Sequence, residues 1–188
     1  QRKETEAPLR KLSRAVEQTP VSVVITDRKG TIEYVNPAFS DVTGYSFEES
    51  LGQNPRVLKS GQHSPEFYKE LWQTIVNKEV WNGEFVNKKK NGELYWESAS
   101  ISPILDHQGR IERFLAVKQD ITARKQAEEE LQSVREELQQ IFDNAQVGIL
   151  FLKEERELYR CNERYAEILG YDSPDELVGM DLRELHLK

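Results

Sequence analysis

The chain has one cysteine, Cys161, among 188 residues. No disulfide can close within it, and no cysteine-rich zinc site is available. Its three histidines, His63, His107 and His186, stand far apart and show no ligand spacing. Nowhere do about 20 apolar residues run together, the length a membrane-spanning helix needs. Nothing at the start reads as a signal peptide, so a reducing, cytoplasmic setting is expected. A phosphate-binding glycine loop, a G-x-S-x-G elbow and an H-E-x-x-H helix are all missing, so no enzyme is expected. A basic surface is missing too. The formal net charge is −7, spread along the chain, which argues against nucleic acid as a partner. The run Lys88-Lys89-Lys90 leads into Asn91-Gly92 and reads as a solvated hairpin tip.

What is present describes a globular protein, 37% hydrophobic and 31% charged. In residues 6–19, Leu9, Leu12, Val16 and Thr19 recur at steps of three and four, an amphipathic helix stopped by Pro20. VSVVITD at 21–27 is a β-branched run, turned by Arg28-Lys29-Gly30 into a second strand, TIEYVN. PAFSDVTGY follows as a short helix with proline at its first position and glycine beyond its end. Ser64-Pro65 opens a longer helix through about Val76, with Phe67, Tyr68, Leu71, Trp72 and Ile75 on its apolar side. Three long strands are expected at about 80–89, 93–105 and 110–121, turned at Asn91-Gly92 and His107-Gln108-Gly109. Antiparallel hairpins mixed with helices, without a repeated βαβ unit, give an α+β class.

The segment ARKQAEEELQSVREELQQIFDNA differs in kind. Ala127, Leu131, Val134, Leu138, Ile141 and Ala145 alternate steps of four and three, a coiled-coil seam of about three heptads. The alternative is a single helix packed on its own domain. A repeat is also present: residues 21, 36 and 45 of the first copy recur at 147, 162 and 171, each 126 further on. Glycine returns as well, Gly52 against Gly179. The expected layout is an N-terminal helix at 1–19, a complete domain at 20–122, a linker helix at 123–145 and the opening part of a second domain at 146–188.

ITDRKGTIEYVNPAFSDVTGYSFEESLGQN, the block NGELYWESASISPILDHQGRIERFLAVKQDIT and the exit Asp120-Ile121-Thr122 into a coiled coil together resemble the PAS (Per-Arnt-Sim) sensor family. The resemblance runs from about Thr19 to Thr122 and again from about Asp143 onward. It implies a PAS fold: a five-stranded antiparallel sheet, with helices closing a pocket over one face and output through the terminal helices. The stretch GQNPRVLKSG at 52–61 is similar to the flavin loop of the blue-light LOV subgroup, with Pro55 where that subgroup has its adduct-forming cysteine. In the same resemblance Asn54 and Arg56 keep the loop's polar positions, Arg56 as the flavin-phosphate arginine, and Lys69 could assist. The later Asn, Asn and Gln of that subgroup fall on Asn87, Glu97 and Lys118, and only the first is retained. Flavin-adenine-dinucleotide (FAD) PAS domains of redox and oxygen sensors are a better match. Their late-helix tryptophan, W-x-G and following asparagine correspond to Trp72, to Trp81-Asn82-Gly83 and to Asn87. Pro55 and Val24 depart from that pattern, standing where some members place a carboxylate and a hydroxyl.

Strand alternation sets the geometry these residues need. Trp81, Phe85 and Asn87 share one face of their strand; Tyr95, Glu97, Ala99 and Ile101 share one of the next; Phe114, Ala116, Lys118 and Asp120 share one of the last. A flavin slot is expected on that face, walled by Trp72 and with Asn87 aimed at the ring's polar edge. The plain alternatives are Trp72 as ordinary core and Asn87 as a strand-end cap. Glu97 and Lys118 are expected nearly opposite and paired, the alternative being that both reach solvent at the pocket mouth. Keeping Asn87 and Glu97 on one face requires an odd-length loop or bulge at 90–93. Trp96, Ser98, Ser100, Leu115, Val117 and Ile121 fall on the other face, with the N-terminal helix as its nearest cover and a dimer partner able to share it. His63 is expected at the surface, so haem is disfavoured, and Cys161 acts as a small hydrophobe.

The expected whole is a sensory input fragment. It reads redox state or oxygen through FAD, with FMN as alternative, and signals as a homodimer through residues 123–145. Another ligand, or a ligand-free dimerisation module, are the competing readings. The output, often a histidine kinase or cyclic-dinucleotide enzyme in this family, lies outside the sequence.

Overall fold

The computed structural model describes residues 2–154, 157–181 and 183, with the side chains of residues 2–9 outside that description. It forms two compact units, residues 1–125 and 126–188.

The first unit opens with helix α1 (Arg2–Glu17), followed by strands β1 (Ser22–Asp27) and β2 (Ile32–Val35). Helices α2 (Pro37–Thr43) and α3 (Phe47–Ser50), a 3₁₀ turn at Pro55–Leu58 and helix α4 (Pro65–Val76) come next. Strands β3 (Trp81–Lys88), β4 (Leu94–Leu105) and β5 (Ile111–Asp120) complete it, and helix α5 (Thr122–Asn144) leads away. All five strands make one antiparallel sheet in the order β2-β1-β5-β4-β3. The α2–α4 region follows from local chemistry. Asn36 and Ser64 cap α2 and α4 with their side chains and are each followed by proline, while Ser46 and Glu49 make a reciprocal capping box on α3.

The three hairpins share one solution. Lys90-Asn91-Gly92 spans β3 and β4: Gly92 N–H donates to Lys89 O at 3.0 Å, and Lys89 N–H to Glu93 O at 2.8 Å. Gly92 sits at φ 92°, the left-handed position such three-residue loops require. The loop is therefore odd in length, and β3 and β4 register with Phe85 against Glu97 and Asn87 against Tyr95. Arg28-Lys29-Gly30 and His107-Gln108-Gly109 repeat the arrangement. In the last hairpin an irregularity at Ile104/Leu105 shifts the register. Glu97 falls opposite Asp120 and Lys118 opposite Ala99, two residues from the expected alignment. Their side chains meet diagonally instead.

The inner sheet face carries the core. Val24, Ile32, Val35, Phe39, Leu58 and Ala116 make one cluster, and Leu71, Ile75, Trp81, Phe85, Ala99 and Phe114 a second. The outer face is less covered than expected. Leu12 of α1 is 64% exposed and Val117 of β5 38%, so Leu12 does not serve as a lid; the side chain of Leu9 lies outside the described residues. Trp96 is instead capped from the root of α5, where the Lys125 ammonium stands 4.9 Å from its ring centroid.

The second unit repeats the first copy's opening in detail. A short hairpin, β6 (Leu150–Leu152) and β7 (Leu158–Cys161), precedes helix α6 (Glu163–Leu169), ended by Gly170 at φ 80° as α2 is ended by Gly44 at φ 77°. Leu158, Cys161, Ala166 and Leu177 are buried together, with the Cys161 thiol pushed up in pKa by that burial. The asparagines correspond bond for bond. Asn36 accepts from Val23 N–H and Phe39 N–H and donates to Val16 O and Val21 O. Asn162 accepts from Ile149 N–H and Tyr165 N–H and donates to Phe142 O and Val147 O. Each thus ties the end of the preceding helix to its own domain.

Candidate functional site

A cavity of about 400 Å³ lies between α4, the 54–59 loop and the inner sheet face. Its apolar walls come from Val24 on β1, Leu71 and Ile75 on α4, Ile101 on β4, and Phe114 and Ala116 on β5. Trp72 stands at the rim, 37% exposed, with its ring edge-to-face on Phe114 at 5.7 Å between centroids. Gly30 leaves room for Asn54 beside it: a Cβ there would fall 2.8 Å from Asn54 Nδ2, and 3.4 Å from the indole.

The loop GQNPRVLKSG is stitched at both ends. Gly52 N–H donates to Ile32 O and Gln53 O accepts from Ile32 N–H, joining it to β2. Asn54 caps the 3₁₀ turn and donates to Gly30 O at 2.9 Å. Leu58 is buried in the core. Lys59 then bridges to Asn87 of β3 through the main chain, and Ser60 Oγ donates to Val86 O. His63 accepts the Val86 N–H on Nε2 at 2.7 Å and stacks on Phe67 at 4.3 Å. This corrects the expectation of a surface histidine. Its ring is half-buried, its pKa lowered by desolvation, and one nitrogen is already engaged. It lines no part of the cavity.

The polar floor is a buried network. Lys118 Nζ lies 2.8 Å from Glu97 Oε2, Asn87 Nδ2 donates to the same oxygen at 2.9 Å, and Tyr95 OH donates to Oε1 at 3.3 Å. Glu97 is 1% exposed and Lys118 6%. So the pair does not reach solvent, and each charge has the partner that burial demands. Burial and the neighbouring carboxylate push the Tyr95 pKa up, which keeps it a donor to Glu97.

Of the expected site residues, the cavity lining holds Asn54, Arg56, Trp72, Phe85, Asn87 and Lys118. Lys69, named as an assistant to Arg56, and Pro55 and Val24, named as departures, line it as well. Trp81 and Glu97 do not. Glu97 sits beneath Asn87 and Lys118 and acts through them. Trp81 folds its ring along its own strand, where a Cβ on Gly83 would fall 2.4 Å from it, and packs against Phe67 and Phe85. The glycine of W-x-G is there to make room for the ring. Lys59 and Tyr68 line the cavity without having been singled out for it. Helical spacing had put Tyr68 on the apolar side of α4, but nothing in the spacing distinguishes a lining residue from core.

Four cations line the cavity, Arg56, Lys59, Lys69 and Lys118, and no carboxylate does, in a chain whose net charge is −7. Only Lys118 has an ion-pair partner among them in the described residues. Apolar walls, an amide at one of them and cations without an ion-pair partner at the rim suit a heteroaromatic ligand with an anionic tail. A flavin nucleotide has that chemistry, and the cavity volume lies within the range of small-molecule sites, about 300–1,000 Å³.

Comparison with known proteins agrees with this architecture. A PAS domain family model matches residues 20–123, and a second PAS domain model matches 136–188. The nitrogen fixation regulatory protein of Klebsiella oxytoca is 35% identical over 163 residues, covering 87% of this chain and 33% of that protein. A blue-light-activated histidine kinase of Brucella anthropi is 29% identical over 181 residues, covering 89% of this chain and 37% of that one. The chain thus spans about a third of the length of these relatives. Among solved structures, an RNA-binding light-oxygen-voltage receptor superposes with a TM-score of 0.60 at 26% identity, covering 66% of this chain and 36% of that one. The LOV domain of a blue-light activated histidine kinase from Erythrobacter litoralis gives 0.52 at 28% identity, covering 56% and 99%. With more than half of its residues matched by one PAS domain model and a further stretch by another, the chain belongs to the PAS domain family.

Proposed function

We propose that the first domain binds a flavin nucleotide and reports redox state or oxygen, with FAD as the preferred form, and that the chain signals as a homodimer through α5. The carrying observation is the cavity itself: apolar walls, one buried amide wired to an ion pair, and a rim of unpaired cations without a carboxylate. Relatives named as a nitrogen fixation regulator and as blue-light-activated kinases support a sensory role.

A flavin, when bound, supplies reversible electron exchange coupled to proton uptake. The residues of this chain do the rest. Arg56, Lys59 and Lys69 hold the anionic tail, while Trp72 and Phe114 bound the ring slot. Pro55 offers neither a thiol nor a backbone N–H, so the loop can form no cysteine adduct and light has no nucleophile to recruit. At the opposite wall Asn87 presents both an acceptor and a donor. Negative charge arriving beside Lys118 competes with Glu97 for the ammonium. Glu97 is registered against Asp120, whose Oδ1 accepts the N–H of Thr122, the first residue of α5, at 2.8 Å. A change in the ion pair therefore acts two steps from the root of the output helix, biasing a two-state element. The second PAS domain follows α5, and the output served is of the kind named for relatives, such as a histidine kinase.

The absorption spectrum of the purified protein tests this reading. Flavin bands support it. A Soret band, or a colourless protein, replaces it with a haem sensor or with a module that binds no chromophore.

A further inference from the structure

Among the described residues, Glu97 and Lys118 form the one ion pair with both side chains buried. The two oxygens of Glu97 take three donors: Lys118 Nζ and Asn87 Nδ2 on Oε2, and Tyr95 OH on Oε1. The pair is not symmetric about the cavity. Lys118 lines it and Glu97 does not, so the positive end stands nearer the space a ligand fills. Glu97 accepts one of the three ammonium protons, and the other two have no acceptor among the described residues. The Phe85 ring, 5.7 Å from Nζ, is an apolar neighbour on the same wall. The other lining cations, Arg56, Lys59 and Lys69, come from the 54–59 loop and α4, so Lys118 is the charge that the sheet itself presents. Apolar side chains of similar volume usually serve stability as well as a buried ion pair does. Packing alone therefore gives no reason for charges here.

We infer that Glu97 is a positioning residue that sets the redox preference of the cavity: it restrains the Lys118 ammonium and balances its charge, limiting how far the site favours the reduced ligand over the oxidised one. The inference rests on the flavin reading and adds to it the residue that governs redox poise. Taking up two electrons and one proton leaves a flavin one unit more negative, and an ammonium at the wall then binds the reduced form more tightly. The carboxylate behind that ammonium opposes the effect. The interaction acts through space in a site screened from water, and it needs no contact between Lys118 and the ring. The two members of the pair therefore act with opposite sign. Losing the charge of Glu97 favours the reduced ligand, and losing that of Lys118 favours the oxidised one. A pair kept only for packing has no such sign.

The test compares the wild type with Glu97→Gln, Lys118→Met and the double variant, each as the whole chain loaded with FAD or FMN in mildly alkaline buffer. Titration with dithionite against a reference dye gives the midpoint potential of the bound flavin. The expected result is a rise of about 30 mV for Glu97→Gln, a tenfold gain in preference for the reduced form of a two-electron couple. Lys118→Met should shift the potential down by a similar amount, and the double variant should fall between the single ones. Shifts of the same sign, or an unchanged potential in Glu97→Gln, overturn this inference alone. Where a single variant fails to hold flavin, the double variant decides: regained binding supports charge balance, and continued loss overturns it. A wild-type chain that takes up neither flavin overturns the flavin reading and this inference with it.

Discussion

Asn36 fills all four of its hydrogen-bonding positions, and its carboxamide links the end of α1 to the β1–α2 corner. Asn36→Ala would strand Val23 N–H and the carbonyls of Val16 and Val21 in a poorly hydrated corner. We expect a loss of about 2–4 kcal/mol, measured as a lower urea midpoint at unchanged slope. His63 makes a second residue-scale claim. Its Nε2 must stay unprotonated to accept the Val86 N–H, and burial lowers its pKa. The unfolded chain therefore takes up this proton more readily than the native state. Stability from His63 is complete above the ordinary imidazole value, about 6.5, and is lost as the pH falls through the lowered folded value. Replacing it with glutamine retains an acceptor that does not titrate. The urea midpoint of His63→Gln should then drop less than that of the wild type between about pH 7.5 and pH 5.5. Equal drops would remove His63 from the account. At this scale the sequence was only partly legible. Strand parity put Asn87, Glu97 and Lys118 on one face, and the buried network confirms that placement. The role of His63 was not visible, because its partner is a backbone N–H 23 positions away. Nor was that of Trp81, since a motif shared with flavin proteins does not say whether its tryptophan touches the ligand or lies on the motif's own glycine.

Among the elements, the hairpins were the most legible, because glycine in a left-handed position and an Asn or Asp before it specify the turn locally. The need for an odd loop at 90–93 followed from two residues having to share a face. The β4–β5 register was not legible to the residue, since it depends on an irregularity at Ile104/Leu105 that no local signal marks. The expected cover of α1 over the outer sheet face is not realised at Leu12, for a helical stripe does not name what it packs against. Helix α5 raises the same question with a different answer. Leu131 is 71% exposed and Leu138 60%, and no residue of α5 is buried among those described, so its seam is not packed on its own chain. A stripe at a 3.5-residue period over three heptads is suited to a second copy, joined in parallel about a two-fold axis. Sedimentation at micromolar concentration should show a dimer, and Leu131→Glu with Leu138→Glu should yield a folded monomer. A wild-type monomer under those conditions would remove the dimeric helix from the account.

For the whole molecule, the resemblance to PAS sensors could be read because two long sequence blocks and the Asp120-Ile121-Thr122 exit stand together in that family's order and spacing. The ligand could not, because a cavity is made by residues from α4, the 54–59 loop and four strands that are remote in sequence. The central claim is that the first domain carries a flavin read by reduction and not by a thiol adduct. It is tested most directly by following the visible spectrum through dithionite reduction, re-oxidation in air and blue illumination. The account predicts flavin bands that bleach with dithionite, return in air and give no adduct band under light. A reversible adduct spectrum produced by illumination alone, or the absence of flavin bands at the outset, would contradict it.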